Sequence, residues 1–311
     1  MSNKNMHAAK RAKNDEFYTQ MPDIERELIH YREHFKDKVV YCNCNDSNSS
    51  NFFKFFGMNF NSLGLRKLIT TGYTLGGQAV KIEITEVKDF TGDGRIGLED
   101  VEYFLEHDED ALVLLEGDGD FRSEECIALL EEADITVTNP PFSLFREYVT
   151  QLIEYDKRFL IIGSLNAITY KEIFPLLKED KMWLGYTNPK SFLQPDGSIK
   201  KFGNILWYTN LEHDKRNEEL ILYKKYTPEE YPQYDNYEAI EVSRTANIPL
   251  NYAGVMGVPI TFLTKHNPEQ FEIIGCSYSY GEPKGYHFDE KGFNVSVDGK
   301  EVYKRLFIQR N

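Results

Sequence analysis

Predicted strands and helices alternate along this chain from residue 38 to residue 178, and this alternation is the strongest constraint on its fold. The segment at 79–87 alternates like a third strand or like a hairpin arm. Parallel strands need long crossover connections, which helices usually supply, so we predict an α/β fold with a doubly wound, Rossmann-like sheet. The predicted strands are residues 38–42, 65–71, 79–87, 111–115, 134–138 and 158–163, and the predicted helices are 22–35, 51–60, 98–106, 124–132, 143–155 and 170–178.

The pattern changes after residue 181, where short predicted strands are separated by polar connectors rich in Tyr and Pro. We interpret this part as the closing antiparallel strands of the sheet followed by a β-rich extension. We therefore expect a basic mobile arm at 1–14, an α/β domain at 15–186 and a region of closing strands and β-rich extension at 187–311. The predicted late strands are residues 182–186, 204–208, 259–263, 271–278, 293–297 and 302–308.

Charge is distributed very unevenly. The net charge is −14, but residues 81–134 hold nineteen acids against four bases, so the remaining chain has 32 bases and 31 acids. The first thirteen residues carry four bases and no acid, and residues 181–216 carry six bases and three acids. An acidic lobe beside a mildly basic surface is compatible with binding a polyanion, with strong salt dependence, and equally with an acidic surface that serves only solubility.

The sequence shows no sign of membrane insertion or secretion. It contains no run of about 18 apolar residues, and its N-terminus has no apolar segment of the kind found in signal peptides. The four cysteines are few and lack zinc-like spacing. We expect a cytoplasmic protein with reduced thiols and no metal site.

A stiff polar tetrapeptide, Asn139-Pro140-Pro141-Phe142, ends the β-branched run at 134–138. The prolines fix φ and donate no N–H, so neither strand nor helix can continue through them. The Asn139 amide oxygen and the Pro140 carbonyl are then available as acceptors beside an aromatic ring. This arrangement suits a planar group that carries an NH2, although turns use the same residue types.

Two other segments follow predicted strands and would lie near this tetrapeptide, because ligands of open α/β sheets bind at the carboxyl ends of the strands. Asp46 follows the first strand, where it is either a ligand-binding carboxylate or a simple helix cap. Residues 117–121 contain Asp118, Asp120 and Phe121, which suit an exocyclic amine and a purine face, or form a tight turn.

Four ordered blocks resemble the EcoRI-type adenine-specific DNA methyltransferases, from about residue 10 to the C-terminus. They read Asp-Glu-Phe-Tyr-Thr-Gln, Val-Val-Tyr-Cys-Asn-Cys-Asn-Asp, Gly-Asp-Gly-Asp-Phe-Arg-Ser and Thr-Asn-Pro-Pro-Phe-Ser-Leu-Phe-Arg-Glu-Tyr. The resemblance implies a methyltransferase sheet, S-adenosylmethionine as methyl donor, the N6 amine of adenine in double-stranded DNA as acceptor and a GAATTC-like target. A restriction endonuclease partner and a monomeric state are compatible with it.

The same resemblance implies that residues 15–186 form the S-adenosylmethionine-binding catalytic domain and that 187–311 include the target-recognition region. It also assigns roles to individual residues. Asn139, Pro140 and Phe142 match the catalytic tetrapeptide, which more often ends in Tyr. The expected cofactor-binding residues are Tyr18 and Thr19 at the methionine end, Asp46 in the first-strand loop, and Asp120 and Phe121 at the adenine. The chain departs from the usual pattern in lacking a Gly-rich turn after the first strand. It also has no evident acid for the cofactor ribose, for which Glu83 and Glu86 are candidates.

These assignments predict a direct methyl transfer to a flipped-out adenine. Phe142 would stack on the base, and acceptors at Asn139 and Pro140 would localise the N6 lone pair and aim it at the methyl group. Trp207 is a candidate for a second aromatic wall, with a core tryptophan as the alternative. Transfer to RNA or to a protein glutamine, and a catalytically inactive DNA-binding relative, remain alternative functions.

A competing motif lies at residues 89–100. Its side-chain oxygens at positions 1, 3 and 5, glycine at position 6 and acid at position 12 fit much of a calcium-loop pattern. The segment before it is predicted as strand rather than helix, so an acidic surface loop is the alternative to a calcium site.

Overall fold

The computed structural model describes residues 18–44, 50–74, 77–108, 111–194, 196–277 and 294–311. The chain divides into two compact units, the first formed by residues up to Gly163 together with Thr187–Leu211, and the second by Ser164–Tyr186 and Glu212–Asn311. The units interleave along the chain, whereas the boundaries expected from the sequence fall after residues 14 and 186. Strand spacing carries no information on which segments pack together.

The described α-helices and strands are numbered in chain order. The helices are α1 (Met21–Leu28), α2 (Asn51–Met58), α3 (Phe60–Leu63), α4 (Leu98–His107), α5 (Glu124–Glu132), α6 (Phe145–Glu154) and α7 (Phe174–Lys178). The strands are β1 (Tyr18–Thr19), β2 (Val39–Cys44), β3 (Lys67–Gly72), β4 (Val80–Ile84), β5 (Leu112–Leu114), β6 (Ile135–Thr138), β7 (Arg158–Ser164), β8 (Trp183–Leu184), β9 (Ser191–Leu193), β10 (Ile199–Lys201), β11 (Ile205–Thr209), β12 (Ile240–Glu241), β13 (Met256–Pro259), β14 (Phe271–Cys276), β15 (Ser296–Val297), β16 (Lys300–Glu301) and β17 (Arg305–Arg310).

The main sheet of the first unit is mixed. Its strands lie in the order β5-β4-β3-β2-β6-β7-β11. β3, β2, β6 and β7 are parallel neighbours, whereas β4 is antiparallel to both β3 and β5. The segment at 79–87 is therefore the hairpin arm, one of the two alternatives that its alternation predicts. β3 lies on one side of β2 and β6 lies on the other, so the order in which strands are added changes direction at β2. Open α/β sheets commonly bind ligands at the carboxyl ends of the strands at such a point.

Helices cover both faces of this sheet. On one face, α1, α2 and α4 pack against inward residues such as Val40 and Cys42 in a large buried cluster. On the other face, Cys126 of α5 contacts Tyr41. The Tyr41 side chain points to the opposite face of the sheet from those of Val40 and Cys42, because side chains alternate along a strand. The helix starts follow from local chemistry: Ser123 caps α5 by accepting a hydrogen bond from the Cys126 N–H at 3.2 Å.

A separate three-stranded sheet lies in the same unit, in the order β1-β9-β10 with antiparallel pairing throughout. Its central strand carries the buried Phe192. β1 is only two residues long, and the sequence does not predict it, because a strand that short has no measurable periodicity.

The second unit contains a four-stranded sheet in the order β12-β13-β17-β14 and the β15–β16 hairpin. The hairpin turn is Asp298-Gly299, with φ of 50° and 73°, as expected for the two-residue turn that favours Asp-Gly. A small core of Tyr234, Tyr237 and Phe307 lies beside it. The predicted β-rich character after residue 181 thus corresponds to short strands.

Several predicted elements differ from the structure. The predicted helix at 22–35 is α-helical only as far as Leu28, and Ile29–His34 is a 3-10 helix. The predicted strand at 259–263 is wrong: β13 ends at Pro259, and Ile260–Lys265 is a 3-10 helix. The predicted helix at 170–178 is shorter than expected, because Tyr170 has extended backbone angles and α7 begins only at Phe174. No helix in the described ranges is both long and apolar enough to cross a membrane.

Candidate active site

The carboxyl ends of β2, β3 and β6 lie at one edge of the sheet, because these strands are parallel. β5 runs in the same direction as β3, since each of them is antiparallel to β4. The loop at 116–121 after β5 therefore reaches this edge too, where the Thr74 N–H donates to the Asp118 carbonyl at 2.8 Å. One candidate site at this edge thus combines three segments that are distant in sequence: the end of β3, the loop at 116–121 and the segment that follows β6.

The Asn139 tetrapeptide leaves the sheet at the end of the fully buried strand β6. The Thr138 hydroxyl donates to the Asn43 carbonyl, which fixes the end of β6 against β2. Pro140 is buried, and Pro141 precedes a short 3-10 turn whose Leu144 N–H donates to the Pro141 carbonyl at 2.9 Å. Phe142 is half-buried against the large core cluster. The tetrapeptide is therefore held by the Thr138 hydrogen bond on its N-terminal side and by the 3-10 turn on its C-terminal side.

Thr19 meets Asn139 across 120 positions of sequence. The Asn139 Nδ2 donates to the Thr19 Oγ1 at 3.3 Å, and the Asn51 Nδ2 donates to the Thr19 carbonyl at 2.7 Å. Thr19 is buried and Tyr18 is half-buried beside it. The first bond turns the Asn139 NH2 toward Thr19 of β1. The block at 18–19 and the tetrapeptide therefore lie together in the structure.

Asp120 is held as a carboxylate by its neighbour Arg122. The Arg122 Nη2 and Nε donate to it at 2.6 and 2.8 Å, and these bonds keep the pKa of Asp120 below its usual range. Arg122 also pairs with Glu147 at 3.2 Å. The sequence did not single out Arg122 as a residue of the site, although its position two residues after Asp120 in a turn is a usable signal.

Phe121 and Tyr73 complete the aromatic part of this loop. The Phe121 ring is 8 % exposed and packs edge-on against Tyr148 at 4.9 Å between centroids, so little of its face is open. Tyr73 follows β3, and burial followed by the charges of Asp118 and Asp120 raises its pKa. Tyr73 was not predicted, because the residue expected at the end of β3 was an acid rather than an aromatic residue.

The acids proposed for a ribose do not lie at this edge. Glu83 lies opposite Ile69, in the middle of β3, and forms ion pairs with Lys67 and Lys81 at 3.1 and 3.0 Å. Because β4 runs antiparallel to β3, later residues of β4 lie still farther from the carboxyl edge. Glu86 is exposed and pairs with Lys88. The candidates failed because the sequence did not determine the direction of β4.

Trp207 requires a correction. It is 0 % exposed, belongs to the large core cluster and packs edge-on against Phe52 at 6.1 Å. An aromatic residue inside the core cannot form the wall of a site, so the core alternative holds. Asp46 and Phe17 lie outside the described residues.

In the loop at 89–100, the carboxylates of Asp89 and Asp100 accept hydrogen bonds from the backbone of the loop itself. Asp89 accepts hydrogen bonds from the backbone N–H groups of Gly92, Asp93 and Gly94. Asp100 accepts from those of Phe90, Thr91 and Gly97 at 2.8 to 2.9 Å. In the described part of the chain, no cluster of three or more His, Cys, Asp or Glu side chains could hold a metal ion.

We predict that Asp100→Asn lowers the melting temperature at pH 7 and that the difference disappears in acid. The Gly97 N–H, followed by that of Thr91, lowers the pKa of Asp100 below its ordinary 3.8. A lowered pKa in the folded state contributes stability above pH 3.8, which is lost as the pH falls through the folded value. Calorimetry from pH 2.5 to 7 tests this, with the exposed Asp93→Asn as control. A difference that persists unchanged at pH 2.5 would contradict it.

Comparisons with known proteins point to one family. The family model described as adenine-specific methyltransferase EcoRI matches residues 5–311. The chain is 47 % identical to the type II methyltransferase M.EcoRI of Escherichia coli, across 99 % of this chain and 97 % of that protein. It is 39 % identical to M.MgeORF184P of Mycoplasma genitalium and 38 % identical to M.MpnI of Mycoplasma pneumoniae, each across 97 % of both chains. No solved structure matches it.

Proposed function

The chain belongs to the family of EcoRI-type adenine-specific methyltransferases, and we propose that it methylates N6 of an adenine flipped out of duplex DNA. The observation that carries the proposal is the contact of Asn139 with Thr19 at the carboxyl edge of the sheet. We propose GAATTC as the target, S-adenosylmethionine as donor, and a Rossmann-like methyltransferase sheet as the scaffold.

The acceptor side of the proposed reaction rests on the tetrapeptide. The Asn139 oxygen and the Pro140 carbonyl would accept the two N6 hydrogens of adenine, and this localises the nitrogen lone pair. Phe142 would stack on the flipped base, which offsets part of the stacking lost from the duplex, on the order of 1–3 kcal/mol. Positioning then supplies most of the rate, and no covalent enzyme intermediate is needed.

The donor side fits the residues at the same edge. S-adenosylmethionine supplies an electrophilic methyl group when it is bound. The carboxylates of Asp118 and Asp120 suit its adenine amine, and Tyr18 and Thr19, next to Asn139, suit its methionine end. Gly119 allows this loop to approach β3 closely, because a Cβ there would lie 2.0 Å from the Gly72 carbonyl oxygen. Asp46 and Phe121 complete the proposed cofactor-binding set.

Other assignments extend the proposal. We propose that the basic segment 1–14 and the β-rich region 187–311 contribute to target recognition, and that residues 15–186 carry most of the cofactor site. A cognate endonuclease would be expected if methylation protects the same sequence from cleavage in cells.

The test is methyl transfer from labelled S-adenosylmethionine to matched duplexes with GAATTC or a scrambled site, followed by digestion to nucleosides. Label in N6-methyladenosine only with GAATTC supports reaction, donor and target together. Label with both duplexes keeps the reaction and overturns the target. No label on DNA overturns the proposal, and label on RNA or on a protein glutamine would then identify the alternative acceptor.

We predict that Thr19→Val lowers kcat by about tenfold or more, because a misoriented Asn139 amide loses near-attack geometry. Valine keeps the shape of this buried side chain and removes only the Oγ1 acceptor. Thr19→Ser keeps the hydroxyl and should retain most of the activity. Steady-state kinetics and cofactor titration check this, since a positioning role changes kcat more than cofactor affinity. A serine variant as impaired as the valine variant would count against it.

A further inference from the structure

We propose that the β9–β10 hairpin binds DNA phosphates beside the active site, with Lys200 and Lys201 as the contact residues. This inference rests on the proposed function and adds a DNA-binding element to it. Residues 190–202 contain three lysines and one acid, Asp196. Among the described strands of its sheet, β10 is at an edge, and all three of its residues are exposed.

The register of the small sheet places this hairpin close to the catalytic residues. Thr19 lies directly opposite Phe192, and Phe192 lies directly opposite Lys200. Neighbouring strands are about 4.8 Å apart, so the Lys200 backbone is about 10 Å from that of Thr19. Thr19 in turn contacts Asn139. Any duplex that presents a base to Asn139 must therefore pass close to β10.

The root of the hairpin is fixed to the same part of the first unit. The Asp23 carboxylate of α1 accepts from the Lys190 and Ser191 N–H groups at 2.9 and 3.2 Å. Glu27 accepts from both the N–H and the hydroxyl of Thr187 at 2.6 Å. Both carboxylates are buried, and α1 begins two residues after Thr19. The lysines are thus attached to a rigid base shared with β1.

The chemistry of the edge fits a polyanion. Lys200 lies over the Phe202 ring, with its Nζ 4.9 Å from the centroid. This is a cation–π contact of the ammonium itself, and the residue remains exposed at the edge of the sheet. Lysines on an edge strand can also serve to prevent strand pairing between molecules. If the lysines bind phosphates, removing them weakens DNA binding. If they only prevent strand pairing, removing them leaves DNA affinity unchanged.

The experiment measures binding of a GAATTC duplex by fluorescence anisotropy between 50 and 200 mM salt, for wild type and Lys200→Ala/Lys201→Ala. Losing two phosphate contacts should reduce the slope of log affinity against log salt by about 2 and weaken binding at 50 mM by roughly tenfold or more. Lys200→Arg/Lys201→Arg should restore both values. Methyl transfer at saturating DNA should change little, and KM for DNA should rise.

The matched control is Lys36→Ala/Lys38→Ala, which removes two charges just before β2, at the opposite edge of the parallel strands. If wild type binds and methylates DNA and the hairpin variant behaves like this control, the inference is overturned while the proposed function stands. Self-association of the hairpin variant with unchanged DNA affinity would also overturn it, in favour of edge protection. Should the double variant melt abnormally, Lys200→Gln and Lys201→Gln should each show half of the slope change.

Discussion

Replacing Asn139 by alanine should reduce methyl transfer by roughly a thousandfold while leaving cofactor affinity within a fewfold of wild type. The amide oxygen would interact most strongly as the N6 nitrogen becomes tetrahedral, and removing one such preorganised group typically costs about 10²–10³ in rate. Additional loss is expected because the contact with Thr19 also disappears. Single-turnover methylation and calorimetric titration with S-adenosylmethionine provide the two readouts.

Asn139→Asp gives a sharper control than alanine. It keeps an acceptor oxygen and nearly the same shape, and the Thr19 hydroxyl can donate to it, so activity should lie between those of wild type and alanine. Equal loss of transfer and cofactor binding in the alanine variant would indicate that Asn139 has a structural role. An aspartate variant as inactive as alanine would indicate that the amide NH2, rather than the oxygen, is essential.

The parts of the site that sequence predicts best are those encoded by local chemistry. β6 is a short β-branched run that is buried on both faces, and two prolines stop it at Asn139, so its position at a strand end could be predicted. The Gly-rich acidic turn at 117–121 likewise follows a strand and contains turn residues. Each of these signals lies within about ten residues of sequence.

Long-range features could not be predicted in the same way. Nothing in the periodicity of β1 shows that Thr19 meets Asn139, and only family resemblance brought the two blocks together. Trp207 was misassigned because an aromatic residue in a strand has the same pattern whether it faces a core or a cavity. Glu83 was one of two candidates for the ribose-binding acid, because the hydrophobic alternation of β4 does not reveal the direction of the strand. Packing, rather than local preference, decides these cases.

Replacing Gly119 by alanine should destabilise the protein by roughly 2–5 kcal/mol and weaken cofactor binding with it. Gly119 has φ of +80°, and an added Cβ would lie 2.0 Å from the Gly72 carbonyl oxygen and 2.8 Å from the Ala79 Cβ. The left-handed conformation costs about 1–2 kcal/mol for a residue with a side chain, and forced overlap in a packed region adds about 1–3 kcal/mol. Urea unfolding and cofactor titration measure the two effects.

Gly94→Ala separates these two contributions, because Gly94 has φ of +86° but no heavy atom within 4 Å of an added Cβ. It should cost only about 1–2 kcal/mol, the cost of the backbone conformation alone, and leave cofactor affinity unchanged. The excess in Gly119→Ala then measures the close approach of the acidic turn to the end of β3. If both variants lose the same stability, the turn can move away from β3 without cost. In that case the proposed cofactor site would not depend on the contact between Gly119 and Gly72.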